Sequence, residues 1–201
     1  MAGFVCSILL TAGFAVDEPN PADVTLTPTT VVRFATPDEG RTILTTDDAF
    51  TASLSRFDLQ CRLKSAAEIT LADWKRFVAQ HVRPWEPGEI ETVSQSLERL
   101  QKRLTDFRLP LPPIIRLVRT TGEEEANAAY TRSAAIILPT KVMTYQSTQL
   151  DRLLAHELFH LLSRHDGAVR AKLYGIIGFE LCEPIDLPRS LAPRRITNPD
   201  A

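Results

Sequence analysis

The chain has 201 residues, of which 44% are hydrophobic and 24% are charged, and its formal net charge is −2. This length and balance predict a folded domain with a sizeable core and exclude a disordered chain. A charge near zero without a long Lys/Arg run argues against nucleic acid and anionic membranes as partners. No apolar run is long enough to cross a bilayer, so we expect no stable membrane span.

The N-terminus carries an apolar stretch of signal-peptide length. Residues 1–16 include FVCSILLTAGFAV, which ends in small residues but lacks the positive charges of a secretory signal. We interpret it either as a leader or as a buried first element. A leader would make the protein secreted or periplasmic and would leave Cys61 and Cys182 as an even pair able to form a disulfide. Without a leader we expect a cytoplasmic protein whose cysteines are small buried apolar residues.

The segment 17–30 is rich in Pro, Asp and Thr, which predicts a linker and leaves 31–201 as a single domain. Val31–Ala35 lies between prolines and predicts a short strand. Pro37–Leu44 predicts a helix, and apolar residues spaced by three and four predict another helix over Asp47–Leu63.

Two clearer amphipathic helices follow. Thr70 and Asp73 form a capping pattern that predicts a helix start, and Pro84 predicts the end of that helix. From Glu86 to Phe107 the apolar residues again recur every three or four positions, which predicts the longest helix of this part of the chain.

Short apolar runs then alternate with turns. Ile114–Thr120 predicts a strand, and Gly122–Glu125 predicts an acidic, solvated turn. Ala128–Thr131 and Ala134–Leu138 predict either a second strand segment or a tight hairpin, which Pro139 closes. Together these elements predict a mostly helical α+β domain with a small sheet.

The helix predicted after this sheet carries the motif HELFH, from His156 to His160. Residues four apart lie on one helix face, so both imidazoles can reach the same metal ion. Glu157 stands one position round from His156, where it can take a proton from water at the metal. A Glu and two His are costly to bury on an apolar helix unless they are paired or liganded. The motif therefore predicts the Zn²⁺ site of a hydrolase. The alternative is a set of core residues satisfied by hydrogen bonds.

We predict that a capping pattern of Thr148 and Asp151 starts the motif helix and that Gly167 follows its end. A further helix is predicted over Ala168–Ile177. The remaining stretch, Glu183–Ala201, is rich in proline and predicts irregular structure.

HELFH, with strands before it and a helix after it, resembles the zincin metallopeptidases. In their thermolysin-like branch, the gluzincins, the third metal ligand is a Glu about twenty residues after the second His. The resemblance therefore implies Glu180 as the third ligand, with Glu183 as the next candidate. The metzincin pattern would place the ligand at Asp166, but Ser163 replaces the glycine on which that branch depends. Asp200 is the fourth candidate.

The wider chain is similar to a group of largely uncharacterised bacterial proteins with a zincin-like domain. The stretches RFAT, AYTR, AHELFHLLSRH and RITNPD carry the similarity, at positions 33–36, 129–132, 155–165 and 195–200. Members of this group are longer, so the resemblance implies that a C-terminal portion is missing here.

The resemblance also implies how substrate binds, because in zincins a strand edge beside the active-site helix adds extended substrate to the sheet. Ala134–Leu138 directly precedes the motif helix and is either that edge or an ordinary core strand. Tyr130 and Tyr174 stand near the motif in sequence. Each is either an oxyanion-stabilising phenol or a packing side chain.

The sequence thus predicts a zinc-dependent hydrolase, a peptidase, in which Glu157 is the general base and a peptide or protein is the substrate. One alternative is a zincin-like scaffold that binds a partner with weak or no turnover, which the short C-terminal part favours. Another is a zinc hydrolase of non-peptide amides, which would use the same residues.

Overall fold

The computed structural model describes residues 22–180, 182–183 and 186–200, so the leader predicted over 1–16 lies outside the described residues. In this part of the chain five strands are formed: β1 Val24–Thr27, β2 Thr30–Phe34, β3 Ile114–Thr120, β4 Tyr130–Arg132 and β5 Ala135–Pro139. The α-helices there are α1 Pro37–Thr45, α2 Ala49–Ser53, α3 Arg56–Arg62, α4 Leu71–His81, α5 Pro87–Leu104, α6 Ser147–His165 and α7 Gly167–Ile176.

A mixed sheet forms the centre of the fold, with its strands in the order β1-β2-β3-β5-β4. The three inner strands run parallel to one another, whereas β1 and β4 are antiparallel to their neighbours at the two edges. All five strands precede α6, which carries the motif. The α+β architecture predicted from the sequence is therefore confirmed.

Helices cover both faces of the sheet. Alternate residues of a strand point to opposite faces, so Ile136 and Leu138 of β5 enter one apolar cluster while Ala135 and Ile137 enter another. α5 and α6 complete the first cluster, and α1 to α4 complete the second. Burying each such Ile or Leu stabilises the fold by roughly 1.5–3 kcal/mol, which makes β5 a central contributor to both layers.

Local hydrogen bonds start two helices where the sequence predicts. At α1, the Thr36 hydroxyl accepts the N–H of Glu39, and the Glu39 carboxylate accepts the N–H of Thr36. Thr70 and Asp73 form the same reciprocal pair at the start of α4. A cap of this kind contributes on the order of 1 kcal/mol and needs only residues three apart. These starts are therefore predictable from short stretches of sequence.

The predicted linker over 17–30 is wrong in its second half. Val24–Thr27 forms β1, which pairs with β2, and Leu26 is only 1% exposed in the core. The Pro and Thr residues around this four-residue strand gave it the composition of a loop. Residues 17–21 lie outside the described part of the chain.

The single helix predicted over Asp47–Leu63 is in fact two helices, α2 and α3. Leu54 is extended between them, with φ −62° and ψ 121°. Ser55 then starts α3, because its hydroxyl accepts the N–H of Asp58 at 3.0 Å. A serine that caps the next turn favours a break over a continuous helix, although the apolar spacing carries on across it.

The acidic turn Gly122–Glu125 is not a solvated loop. Glu124 is only 1% exposed, and burial raises the pKa of its carboxyl. Glu125 accepts a hydrogen bond from Nε of Arg62 at 2.8 Å, and burial also raises the pKa of Glu125. The turn is thus part of the packed structure around α3.

The motif helix differs from the prediction at both ends. Gln146 is its N-cap residue, and Thr148 lies inside the helix. Gly167 does not follow a free helix end but opens α7, because the Asp166 carboxylate caps that second helix. Asp151, the partner predicted for Thr148, is buried and turned toward α5 instead.

The Asp151 carboxylate joins α6 to α5. It accepts hydrogen bonds from the Ser96 hydroxyl and from Nη2 of Arg99, the latter at 2.8 Å. The hydrogen bond from Arg99 and that from Ser96 lower the pKa of Asp151, against the effect of burial. This contact holds the motif helix against its neighbour at a point more than one turn before His156.

Cys61 and Cys182 are free and exposed, which differs from both the disulfide and the buried-residue expectation. Among the described residues, no helix has both the length and the apolar character that a membrane span needs, as expected.

We expect Asp151→Asn to lower the free energy of unfolding by about 1–2 kcal/mol at pH 7, because the variant weakens a charged hydrogen-bond pair that is partly exposed. A carboxyl whose pKa is lowered in the folded state stabilises above its unfolded pKa of about 3.9, and that contribution disappears as the pH falls through the folded pKa. Urea denaturation should therefore show a difference at pH 7 that closes below about pH 4. Asp106→Asn, at an exposed site, is the control. An equal loss at both pH values would contradict this account.

Candidate metal site

The two histidines of the motif converge on one point beside α6. Their Nε2 atoms lie 3.0 Å apart, and the rings meet edge to face with centroids 4.5 Å apart. Two nitrogen ligands of a tetrahedral zinc ion stand about 3.3 Å apart, given zinc–nitrogen bonds of about 2.0–2.1 Å. His156 is exposed and His160 is half-buried, so a metal ion could reach both from solvent. The same distance also fits a hydrogen bond in which the Nε2–H of one ring donates to Nε2 of the other.

Glu157 lies on the buried side of the same helix turn, only 2% exposed. Its Oε2 atom has no hydrogen-bond partner in the described part of the chain, and neither does the buried Nδ1 atom of His160. Leaving a buried polar group unpaired costs about 1–3 kcal/mol, and more for a charged one. The described side chains leave these two atoms without hydrogen bonds. This argues against core residues that are satisfied within the protein and favours a site that a bound species completes.

The surroundings favour the neutral forms of both buried groups. Burial raises the pKa of Glu157 to about 8, and the charge of Asp200 adds to this while Arg164 opposes it. Burial lowers the pKa of His160, with Asp200 acting in the opposite sense. A neutral imidazole is the form that binds a metal, and a carboxyl that titrates near neutrality can exchange protons with water.

The carboxylates predicted as third ligand are not assembled around the histidines. In the described ranges, no group of three or more His, Cys, Asp or Glu side chains could hold a metal ion. Glu180 and Glu183 are exposed beyond α7. The Asp166 carboxylate accepts the N–H groups of Ala168 and Val169 at 2.9 and 3.0 Å as the N-cap of α7. The identity of the third ligand thus stays a prediction.

Asp200, the last of the four candidates, is the one whose charge acts on the site. Its Oδ1 accepts the backbone N–H of Thr131 at 2.7 Å and the Thr131 hydroxyl at 2.6 Å. Its charge raises the pKa of both Glu157 and His160. The structure therefore brings a negative charge to the motif from a position about forty residues further along the chain.

The segment 195–200 that carries Asp200 is anchored on α3. The backbone N–H of Thr197 donates to Asp58 at 2.8 Å, and Arg62 donates to the Thr197 carbonyl at 2.8 Å. Asp58 is fully buried and pairs with Arg62. The stretch RITNPD carries part of the resemblance, but no local sequence pattern predicts that this segment binds Asp58 and Arg62 on α3.

The structure separates the two alternatives for Ala134–Leu138. β5 lies between β3 and β4, and all of its residues are buried, so this stretch is a core strand. β4 is the edge strand and contacts α6. Both outward-facing backbone groups of its central residue, Thr131, are already bonded, since its N–H donates to Asp200 and its carbonyl accepts from Arg164. A substrate edge beside α6 would thus be β4, and the chain itself covers it.

Of the two tyrosines considered for an oxyanion role, one is buried away from the motif and the other packs against it. Tyr130 is 4% exposed within the cluster formed by α1 to α4, on the face of the sheet opposite α6. Burial raises the pKa of Tyr130 well above its usual value. Tyr174 packs edge to face on Phe159 of the motif, with ring centroids 5.4 Å apart. Only Tyr174 is therefore next to the motif, and an oxyanion role for it stays a prediction.

Comparison with protein-family models, with curated proteins and with solved structures finds no significant match to this chain. Inferences about its chemistry therefore depend on the geometry of α6 and its neighbours.

We expect the purified protein to bind one zinc ion per chain, and His156→Ala or His160→Ala to weaken the affinity at least about 100-fold, since even residues that only support a ligand contribute 10–100-fold. Competition with a chromophoric chelator measures this affinity. His81→Ala is the matched control, because His81 lies on α4 with its Nδ1 bonded to the Thr121 hydroxyl. Equal affinities for the wild type and both motif variants would rule out the site.

The third carboxylate can be identified in the same assay. We expect Asp200→Asn to weaken zinc binding about 10–100-fold, because Asp200 supplies negative charge to the histidines. Glu180→Gln should have at most a severalfold effect, since Glu180 is exposed and apart from them. A larger effect of Glu180→Gln would favour the gluzincin ligand set instead.

Proposed function

We propose that the protein is a zinc-dependent hydrolase, with peptides as its substrates. The observation that carries this proposal is the pair of imidazole Nε2 atoms 3.0 Å apart beside the buried Glu157 carboxylate, one oxygen of which has no hydrogen-bond partner among the described residues. Nitrogen donors of this kind suit zinc better than Ca²⁺ or Mg²⁺, which take oxygen ligands. His156 and His160 would hold the ion, and zinc bound there would polarise a carbonyl and lower the pKa of water.

Glu157 is the proton carrier in this proposal. It would accept a proton from the attacking water and return it to the leaving amine, as general base and then general acid. Its burial supports this role, because a carboxyl with a pKa of about 8 changes protonation state near neutral pH. A nearby cation would lower that pKa and favour the basic form at the start of the reaction.

The packing of α6 supports the geometry that such chemistry needs. Leu154, Leu158 and Leu161 are buried on the same side of the helix as Glu157, so the carboxylate is held by a well-packed face. The Asp151 contact to α5 fixes the helix against rotation. Reacting groups held on a rigid element keep their separation without the entropic cost of ordering a loop.

A scaffold that binds a partner without turnover is the second candidate. One observation favours it, namely the covered edge of β4. Both outward backbone groups of Thr131 are engaged by side chains of the same chain, Asp200 and Arg164. An extended peptide could add to β4 only after displacing these contacts, which would weaken its binding.

We expect the zinc-loaded wild type to cleave members of a mixed peptide library and Glu157→Gln to reduce turnover about 10²–10⁴-fold, the usual contribution of general acid–base catalysis. Mass spectrometry of the library measures cleavage, and zinc content must be unchanged in the variant. Glu98→Gln, at an exposed position on α5, is the control. A wild type that binds zinc but cleaves no peptide would favour the scaffold.

A further inference from the structure

A cavity of about 430 Å³ lies at the tip of the β4–β5 hairpin, against the C-terminal part of the helix that carries the motif. α2 reaches it from one face of the sheet and α6 from the other, and Pro199 of the 195–200 segment borders it. Its volume falls within the range of about 300–1,000 Å³ that is typical of small-ligand sites. The cavity is open to solvent, so a side chain of a bound molecule could enter it.

Arg164 lines this cavity without a carboxylate partner. Its Nη1 donates to the Pro199 carbonyl at 2.9 Å, and its other hydrogen bonds go to the carbonyl and hydroxyl of Thr131. Within the described residues its Nε is buried without a hydrogen-bond partner, and Asp200 and Glu157 act on the guanidinium only through their charge. Burial lowers the pKa of Arg164, although Asp200 and Glu157 act against this from further away. A half-buried guanidinium bonded only to neutral oxygens is well placed to bind an anion.

Arg132 adds a second positive charge to the same cavity. It pairs with Asp48 at 2.7 Å, and its guanidinium carbon lies 4.8 Å from the centre of the Phe50 ring. Asp48 also accepts the N–H of Thr51 as the cap of α2, so its charge is shared between two partners. No hydrogen bond from Nη1 of Arg132 is formed to the described residues. The residues that line the cavity therefore include two guanidinium groups and one carboxylate, and the charge of Asp200 acts on Arg164 from outside the lining.

The position of Arg164 relates this cavity to the motif. Arg164 follows His160 by four residues on α6, which corresponds to about 6 Å along the helix axis. An extended peptide advances about 3.3 Å per residue. A peptide that runs along α6 with its scissile bond at the histidines would thus bring a side chain about two residues away to Arg164.

We propose that this cavity is a subsite for the carboxylate of an Asp or Glu side chain in the peptide substrate, bound by Arg164 and Arg132. The inference rests on the proposed function in that it takes a peptide to be the substrate. A charged hydrogen bond contributes about 1.5–3 kcal/mol, which corresponds to a preference of about 10–150-fold for Glu over Gln at one substrate position.

The test compares peptide pairs that differ only by Glu or Gln at each position in turn. We expect the ratio of kcat/KM for Glu over Gln to be at least about 10 in the wild type at one position. This ratio should fall to near 1 in Arg164→Gln, and Arg164→Glu should prefer Lys at the same position. Arg152→Gln, at an exposed position of α6, should keep the wild-type ratio. A ratio near 1 at every position in the wild type, or one unchanged in Arg164→Gln, would overturn the proposal.

A peptide-binding measurement distinguishes a failure of the subsite from a failure of the proposed peptidase function. If no peptide is cleaved, fluorescence anisotropy of the same labelled peptides with zinc-loaded Glu157→Gln reports the preference as a ratio of Kd values. A Glu preference that Arg164→Gln removes in this background would support the subsite even though the peptidase proposal fails. No preference would overturn the subsite.

A measurement on the wild type alone covers the case in which Arg164 variants do not fold. N-acetylglutamate should raise the Tm more than N-acetylglutamine at the same concentration, since only the former brings the side-chain carboxylate. An equal shift with sodium phosphate would overturn the assignment to a carboxylate, because the cavity would then bind any anion.

Discussion

The burial of one face of α6 against the sheet and α5 determines the whole candidate site. Leu154, Leu158 and Leu161 recur at helical spacing on that face, and Glu157 lies among them. Of the two histidines, His160 is half-buried beside that face and His156 is exposed to solvent. The i,i+4 spacing brings the two histidines together, whereas the rotation of the helix, which the contact of Asp151 with α5 secures, determines the burial of the carboxylate.

The parts of this fold that could be predicted depend on residues close together in sequence. Thr70 and Asp73 start α4 through a bond that spans three residues, and the apolar spacing of α6 places both histidines on one face. The parts that could not be predicted depend on distant partners. Asp151 bonds Arg99 from 52 residues away, and Asp200 bonds Thr131 from 69 residues away. No local periodicity indicates such pairings, and they determine which charges reach the motif.

These distant contacts also separate the proposed functions. The 195–200 segment brings the charge of Asp200 to Glu157 and His160, which suits a metal site, and it covers Thr131 on the edge strand, which opposes strand addition. A non-peptide amide would not need that edge and would use the same histidines. The guanidinium groups beside the motif favour an acidic molecule under any of these functions.

The claim on which the account depends is that His156 and His160 bind one zinc ion together. Diffraction at the zinc absorption edge from crystals of the zinc-loaded protein tests it most directly. We expect a single anomalous peak about 2.0–2.1 Å from both Nε2 atoms. A zinc-loaded crystal with no peak between the two rings, which instead remain bonded to each other at about 3.0 Å, would contradict the account.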